Sequence, residues 1–193
     1  MSDLAQLDRP PTRRRLDVES YYRMAETGIL GAEDRVELID GEIIDMSPIG
    51  SAHAGCVNRL IRGLAPVAGA GTAVLSVQSP LRLGSHDEPQ PDIMLLRPRA
   101  DDYATAHPGP SDVLLVIEVA ASSLRFDRTT KLPLYARHEV PEVWIVDLAG
   151  AGIEVHREPQ HGVYRRCERC ARGMLQPVLL PDVAIDVEAL FES

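Results

Sequence analysis

Apolar and polar positions alternate along this chain with periods that change several times, and each change predicts an element. Asp17 stands where an N-cap is needed, and Val18, Tyr21, Tyr22 and Ala25 follow at helical spacing until Gly28 can end the helix. Arg35–Leu38 and Glu42–Met46 read as two strands joined at Asp40-Gly41, a dipeptide that accepts the positive φ angles of a tight hairpin turn. From Ser51 to Ala68 the residues Val57, Leu60, Ile61 and Leu64 make one apolar stripe, with Cys56 packed beside it. His53, Asn58, Arg59 and Arg62 fall off that stripe, which makes His53 a helix-surface or cleft-edge residue. Thr72–Gln78 and Leu81–Leu83 look like one strand broken by Ser79-Pro80.

Two later runs, Pro91–Leu96 and Val113–Val119, are short, apolar and rich in branched residues, the pattern of buried strands. Each carries one carboxylate at or near an end, Asp92 and Glu118. Burying an acid costs several kcal/mol unless a cation or hydrogen bonds compensate, so two acids on such strands ask for a shared positive partner. The simplest is a divalent metal, and Lys131 stands close behind.

Residues 97–111 form a long connection with no nameable element. Ser122 and Ser123 offer caps for a helix reaching His138, with Pro133 confining regular helix to the part after Asp127 or kinking it. Asp127 and Lys131, four apart, share a helix face, and Asp127 is expected to cap the helix or pair with the lysine. Glu142–Asp147 is a further buried strand, placing Trp144 in the core. Ile153–Arg157 and Val163–Arg166 make a hairpin turning at Gln160-His161-Gly162, followed by a short strand at Val178–Leu180 and a helical turn at Val187–Phe191. That order predicts an α/β (α+β) domain with a central mixed sheet flanked by helices, spanning residues 17–193 behind a polar tail, residues 1–16.

Composition agrees with a single domain: 193 residues, 45% hydrophobic and 25% charged, are enough for one proper core. No apolar run reaches the roughly 20 residues of a membrane helix, and the N-terminus lacks the apolar segment of a secretion signal, so a cytoplasmic location is expected. The three cysteines show no disulfide-framework spacing. Cys167-Glu168-Arg169-Cys170 has the spacing of half a zinc site, but with only His156 and His161 nearby the pair reads as structural or incidental unless a second chain completes it.

A net charge of -9 argues against a general nucleic-acid surface, although it leaves room for local basic groups. Arg13, Arg14 and Arg15 cluster at one end, and Arg59, Arg62, Arg97, Arg99, Arg125 and Arg128 flank the segments of interest; each is first read as solvated surface.

Pro91-Asp92 on one strand, Glu118 on another and Lys131 on the following helix resemble the active-site set of the PD-(D/E)XK nuclease superfamily. More closely, several segments in order resemble the Uma-type restriction endonuclease-like family. They are Val36–Glu42, the His53 helix, Pro91-Asp92-Ile93, Ile117-Glu118-Val119, Asp127 with Lys131–Ala136, and Val140–Asp147. The resemblance implies a restriction endonuclease-like core bearing a metal-dependent phosphodiester-hydrolysing site. In it Asp92 and Glu118 would bind the metal, Lys131 would orient or deprotonate the attacking water, and Glu37 would extend the metal's outer shell. Ala120 stands where the parent motif has lysine, so the lysine's part passes to Lys131 on the helix.

A magnesium-like ion, Mg2+ or Mn2+, takes hard oxygen ligands and keeps waters, so two carboxylates and a backbone carbonyl, that of Val119, suffice to hold it. Two functions of different class fit: a metal-dependent endonuclease acting on DNA, expected by analogy to work as a homodimer, or a non-catalytic interaction module that keeps the fold.

Overall fold

A computed structural model describes residues 12–31 and 33–192. Its centre is a six-stranded mixed sheet in the order β3-β4-β5-β6-β7-β8. These strands are β3 (Val74–Val77), β4 (Ile93–Leu96), β5 (Val113–Ala120), β6 (Glu142–Asp147), β7 (Gly152–Gln160) and β8 (Val163–Cys170). β5 and β6 pair in parallel and all other neighbours are antiparallel. The parallel pair is joined by the helical segment that follows β5, as a crossover between parallel strands requires. β4, β5 and β6 are buried along their whole length, which is why their sequences run apolar without alternation.

Each face of the sheet has its own core. On one side α2 (Ser51–Gly69) lays Cys56, Leu60, Leu64 and Val67 against Ile93, Leu115, Ile117 and Trp144, and the C-terminal segment closes over them with Ile185 and Leu190. On the other, Leu134, Tyr135 and Val140 cover Met94, Leu96, Val116, Val143 and Ile145. α1 (Val18–Glu26) starts on Asp17, whose carboxylate accepts from Ser20 N–H at 2.7 Å. The hairpin of β1 (Val36–Ile39) and β2 (Glu42–Asp45) turns on Asp40 and Gly41, both at positive φ. A side chain at Gly41 would meet the Cβ of Arg15 at 2.5 Å, so the turn also needs the missing Cβ. The expected tail lies outside the described residues as far as residue 11, and Leu16 N–H bonds to Gly41 O.

Three expected elements take another form. Leu81–Leu83 is no strand: Gln78 turns the chain away at positive φ, and Leu81 and Leu83 bond across a loop to Pro89 and Asp87 while their side chains enter the core. Val178–Leu180 is a turn between Pro177 and Pro181, which lack the donors of a ladder. The short pairing there joins β9 (Met174–Leu175) to β10 (Ile185–Asp186). The helix expected after Ser122 runs as α3 (Leu124–Phe126), a wide π-helical turn (Asp127–Lys131) and α4 (Leu132–Arg137). Pro133 offers no N–H to the carbonyl of Thr129, and the wide turn just before it absorbs that misfit without ending the helix. No helix among the described residues is long and apolar enough to cross a membrane.

Candidate active site

The register of β4 and β5 brings the two acids together. Ile93 lies opposite Ile117 in an antiparallel pair, so the next positions outward are Asp92 and Glu118. Directly opposed residues on antiparallel strands hold their Cβ atoms roughly 4.5–5.5 Å apart. Met94 and Val116, two residues inward on each strand, pack in the α4-side core, and the period of two puts Glu118 on that same face.

Asp92 sits where β4 begins and is held from three directions. Its Oδ2 accepts from the N–H of Val119 at 2.9 Å and from the His53 ring at 3.0 Å, and its Oδ1 from Gln78 Nε2 at 3.3 Å. Burial works to raise its pKa, but the bonds from His53 and Val119 win and hold it below the ordinary carboxylate value. An ionised Asp92 can only accept, so His53 Nε2 carries the proton, and its Nδ1 is buried without a partner among the described residues. The N–H and C=O of one residue in an extended strand point to the same edge, so the Val119 carbonyl follows its N–H past the end of β4 into the hollow that Val119 lines.

Glu118 is sunk more deeply, with its side chain 4% exposed, and its Oε1 accepts from Tyr135 OH at 2.6 Å and meets Lys131 Nζ at 3.2 Å. Lys131 Nζ also meets Glu37 Oε2 at 3.1 Å, the oxygen that takes the N–H of Gln90. Asp127, also buried, accepts from Ser123 Oγ at 2.6 Å. Four carboxylates, Glu37, Asp92, Glu118 and Asp127, thus gather around one lysine, with the His53 ring donating to one of them. Burial, backed by Asp127 and Asp92 against the opposing pull of Lys131, pushes the Glu118 carboxyl up to about 8. Burial alone would lower Lys131, but Glu118, Glu37 and Asp127 together raise it, so the amine stays charged. The cluster is short of positive charge, and the second oxygen of Glu118 has no protein partner among the described residues.

These groups open into a cavity of about 300 Å³, with Glu37, His53, Asp92, Glu118, Asp127 and Lys131 in its walls. Among the described residues no three His, Cys, Asp or Glu side chains form a ready-made cation cage. A magnesium-like ion does not need one, since one or two carboxylates, a carbonyl and retained waters complete its shell. The donor set of Asp92, Glu118 Oε2 and the Val119 carbonyl is of that hard-oxygen kind.

The profile of the Uma2 family, described as a putative restriction endonuclease, matches residues 18–188. This chain belongs to that family. A solved structure, a putative nuclease belonging to DUF820 from Anabaena variabilis ATCC 29413, superposes with a TM-score of 0.72 at 16% identity, over 91% of this chain and 97% of that one. At that identity the likeness shows the fold, and both family and fold are nuclease-like. No curated protein matches the chain.

Within this Uma2 chain the structure brings Glu37, Asp92, Glu118, Val119 and Lys131 to one hollow. His53 is no plain surface residue, because it reaches Asp92 from α2. Asp127 neither caps the helix nor contacts the lysine, since the Ser123 hydroxyl donates to it instead. Tyr135, Gln78 and Gln90 were invisible as site residues. Only Tyr135 left a signal, standing four residues after Lys131 on the same helix face. Cys167 and Cys170 cannot form half a zinc site with each other: three residues apart on β8, they point to opposite faces. Cys167 lies 3.9 Å from His156, while Cys170 packs against the other core.

Proposed function

We propose that this chain is a magnesium- or manganese-dependent endonuclease acting on DNA. What supports it most directly is the opposition of Asp92 and Glu118 on adjacent strands, both facing a hollow that holds more acid than Lys131 can balance. Asp92, the second oxygen of Glu118 and the Val119 carbonyl would hold the ion. Once bound, the ion supplies a polarised water and neutralises charge building on the phosphate.

The protein's own groups divide the remaining work. Lys131, kept charged by its acidic neighbours, serves by orienting the water and stabilising the phosphate rather than by removing a proton. Glu37 anchors Lys131 and Tyr135 fixes Glu118, so both act through another residue. Gln78, His53 and the Val119 N–H fix the rotamer of Asp92, which a hard ion with strict geometry requires.

The test is cleavage of plasmid and oligonucleotide DNA with Mg2+ or Mn2+. Activity should vanish in Asp92→Ala and Glu118→Ala while circular dichroism stays unchanged. Failure of the wild-type chain to cut any DNA form under these conditions would assign it instead to the class of interaction modules that keep a nuclease fold.

A further inference from the structure

The cavity has walls of two kinds, and they restrict what can reach the chemistry. Its charged groups are deep: the side chains of Glu37, Glu118 and Lys131 are 3%, 4% and 7% exposed. Its outer lining mixes polar Arg35, Asp45, Ser47 and Ser122 with an apolar patch, half-buried Ile44 and Met46 at the end of the β1–β2 hairpin, exposed Ile49 in the loop before α2, and half-buried Phe126 at the end of α3. Ile49 is 40% exposed, an apolar side chain left in water beside an acidic site.

A scissile phosphate can meet Lys131 only by descending into this hollow with its sugar and base, and about 300 Å³ is room on the scale of one nucleotide. Duplex DNA is a stiff rod that carries a charge about every 1.7 Å and calls for an array of cations around the site. Among the described residues, four of the six arginines that flank the site segments are already engaged within the protein. Arg59 is spent on the carbonyls of Leu190 and Glu192, Arg97 on Ser111 O, Arg99 on Asp101 and Arg128 on Glu154. Among the described residues Arg35 is the one arginine that lines the cavity. Apolar and aromatic side chains beside a phosphate site are what an unstacked base needs, because every base has a π face to lay on them.

We infer that the substrate of this site is an unpaired DNA strand, admitted one nucleotide at a time, with its base packed on Phe126 and Ile49 while its phosphate faces Asp92, Glu118 and Lys131. The inference rests on the proposed nuclease site for the phosphate's place, but the packing of the base is a property of the rim and can be measured without turnover.

The experiment uses a single-stranded DNA oligonucleotide carrying one 2-aminopurine, the same oligonucleotide annealed to its complement, and an RNA strand of the same sequence. Each is titrated with the full chain in calcium by fluorescence anisotropy and 2-aminopurine emission, then incubated with magnesium or manganese. The single strand is expected to bind at least about tenfold more tightly than the duplex and to show quenched emission on binding. Stacking contributions of about 1–3 kcal/mol per base make Phe126→Ala about tenfold weaker on the single strand. Ile49→Ser, at an exposed position that leaves the fold intact, should weaken the single strand several-fold and the duplex little. Equal binding of the RNA strand would support selection of unpaired strands whatever the sugar. Tighter binding of the duplex, cleavage confined to duplex, or an Ile49→Ser variant that binds the single strand as well as wild type would overturn the inference. Single-strand preference without cleavage of any DNA would sink the catalytic reading and leave the strand site standing.

Discussion

Replacing Lys131 by methionine tests the physical core of the site, because it keeps the volume and removes the charge. Nζ lies 3.1 Å from Glu37 and 3.2 Å from Glu118, with both carboxylates almost wholly buried and Asp127 also raising the lysine's pKa. Breaking a buried pair by removing one partner typically costs about 3–5 kcal/mol, since the remaining charge is left uncompensated. For a chain of this length each kcal/mol shifts the melting temperature by about 2–4 °C, so a loss of roughly 6–20 °C is expected. The acids can escape part of that cost by taking up protons, which makes the loss smaller at pH 6 than at pH 8.5. Urea unfolding of wild type and Lys131→Met at both values measures this. A destabilisation below about 1 kcal/mol, or one that does not grow with pH, would refute the claim that one amine neutralises a crowded acid cluster.

Glu118 itself gives a second signature. A carboxyl whose folded pKa lies near 8 binds its proton more tightly folded than unfolded, so without a divalent ion stability should fall as pH rises from about 4.5 to about 8. Glu118→Gln should flatten that slope in thermal melts across the range. Tyr135→Phe deletes the 2.6 Å bond to Glu118 Oε1 and, with that carboxyl largely protonated at neutral pH, should cost about 0.5–1.5 kcal/mol. It should also weaken manganese binding by isothermal titration, and an affinity equal to wild type would deny Tyr135 a part in orienting Glu118. Gly41→Ala meets both a positive φ and the Cβ of Arg15, so it should destabilise by more than about 1 kcal/mol in chemical unfolding.

Much of the fold was legible from periodicity because its signals are local. A cap such as Asp17 or an Asp40-Gly41 turn declares itself within a few residues, and an unbroken apolar run such as Val113–Ile117 reads as buried. Asp92 and Glu118 were conspicuous for the same reason, as charges at the ends of apolar strands. At Leu81–Leu83, where Gln78 turns the chain aside, Leu81 and Leu83 are buried as the apolar positions suggested, whereas between Pro177 and Pro181 Leu180 is buried and Val178 and Leu179 are exposed. Leu81, Leu83 and Leu180 spend their N–H groups on loop and turn bonds rather than on a ladder, and they enter the core from there.

The sequence alone determined which residues must be buried and which acids would be costly there, since both follow from side-chain chemistry. Only the tertiary structure decided that Asp92 and Glu118 oppose each other. That depends on the Ile93–Ile117 register, and a shift of one residue would send the acids to different faces. The same holds for Tyr135 on Glu118 and His53 on Asp92. Each depends on how distant segments pack, a relation that no local spacing encodes.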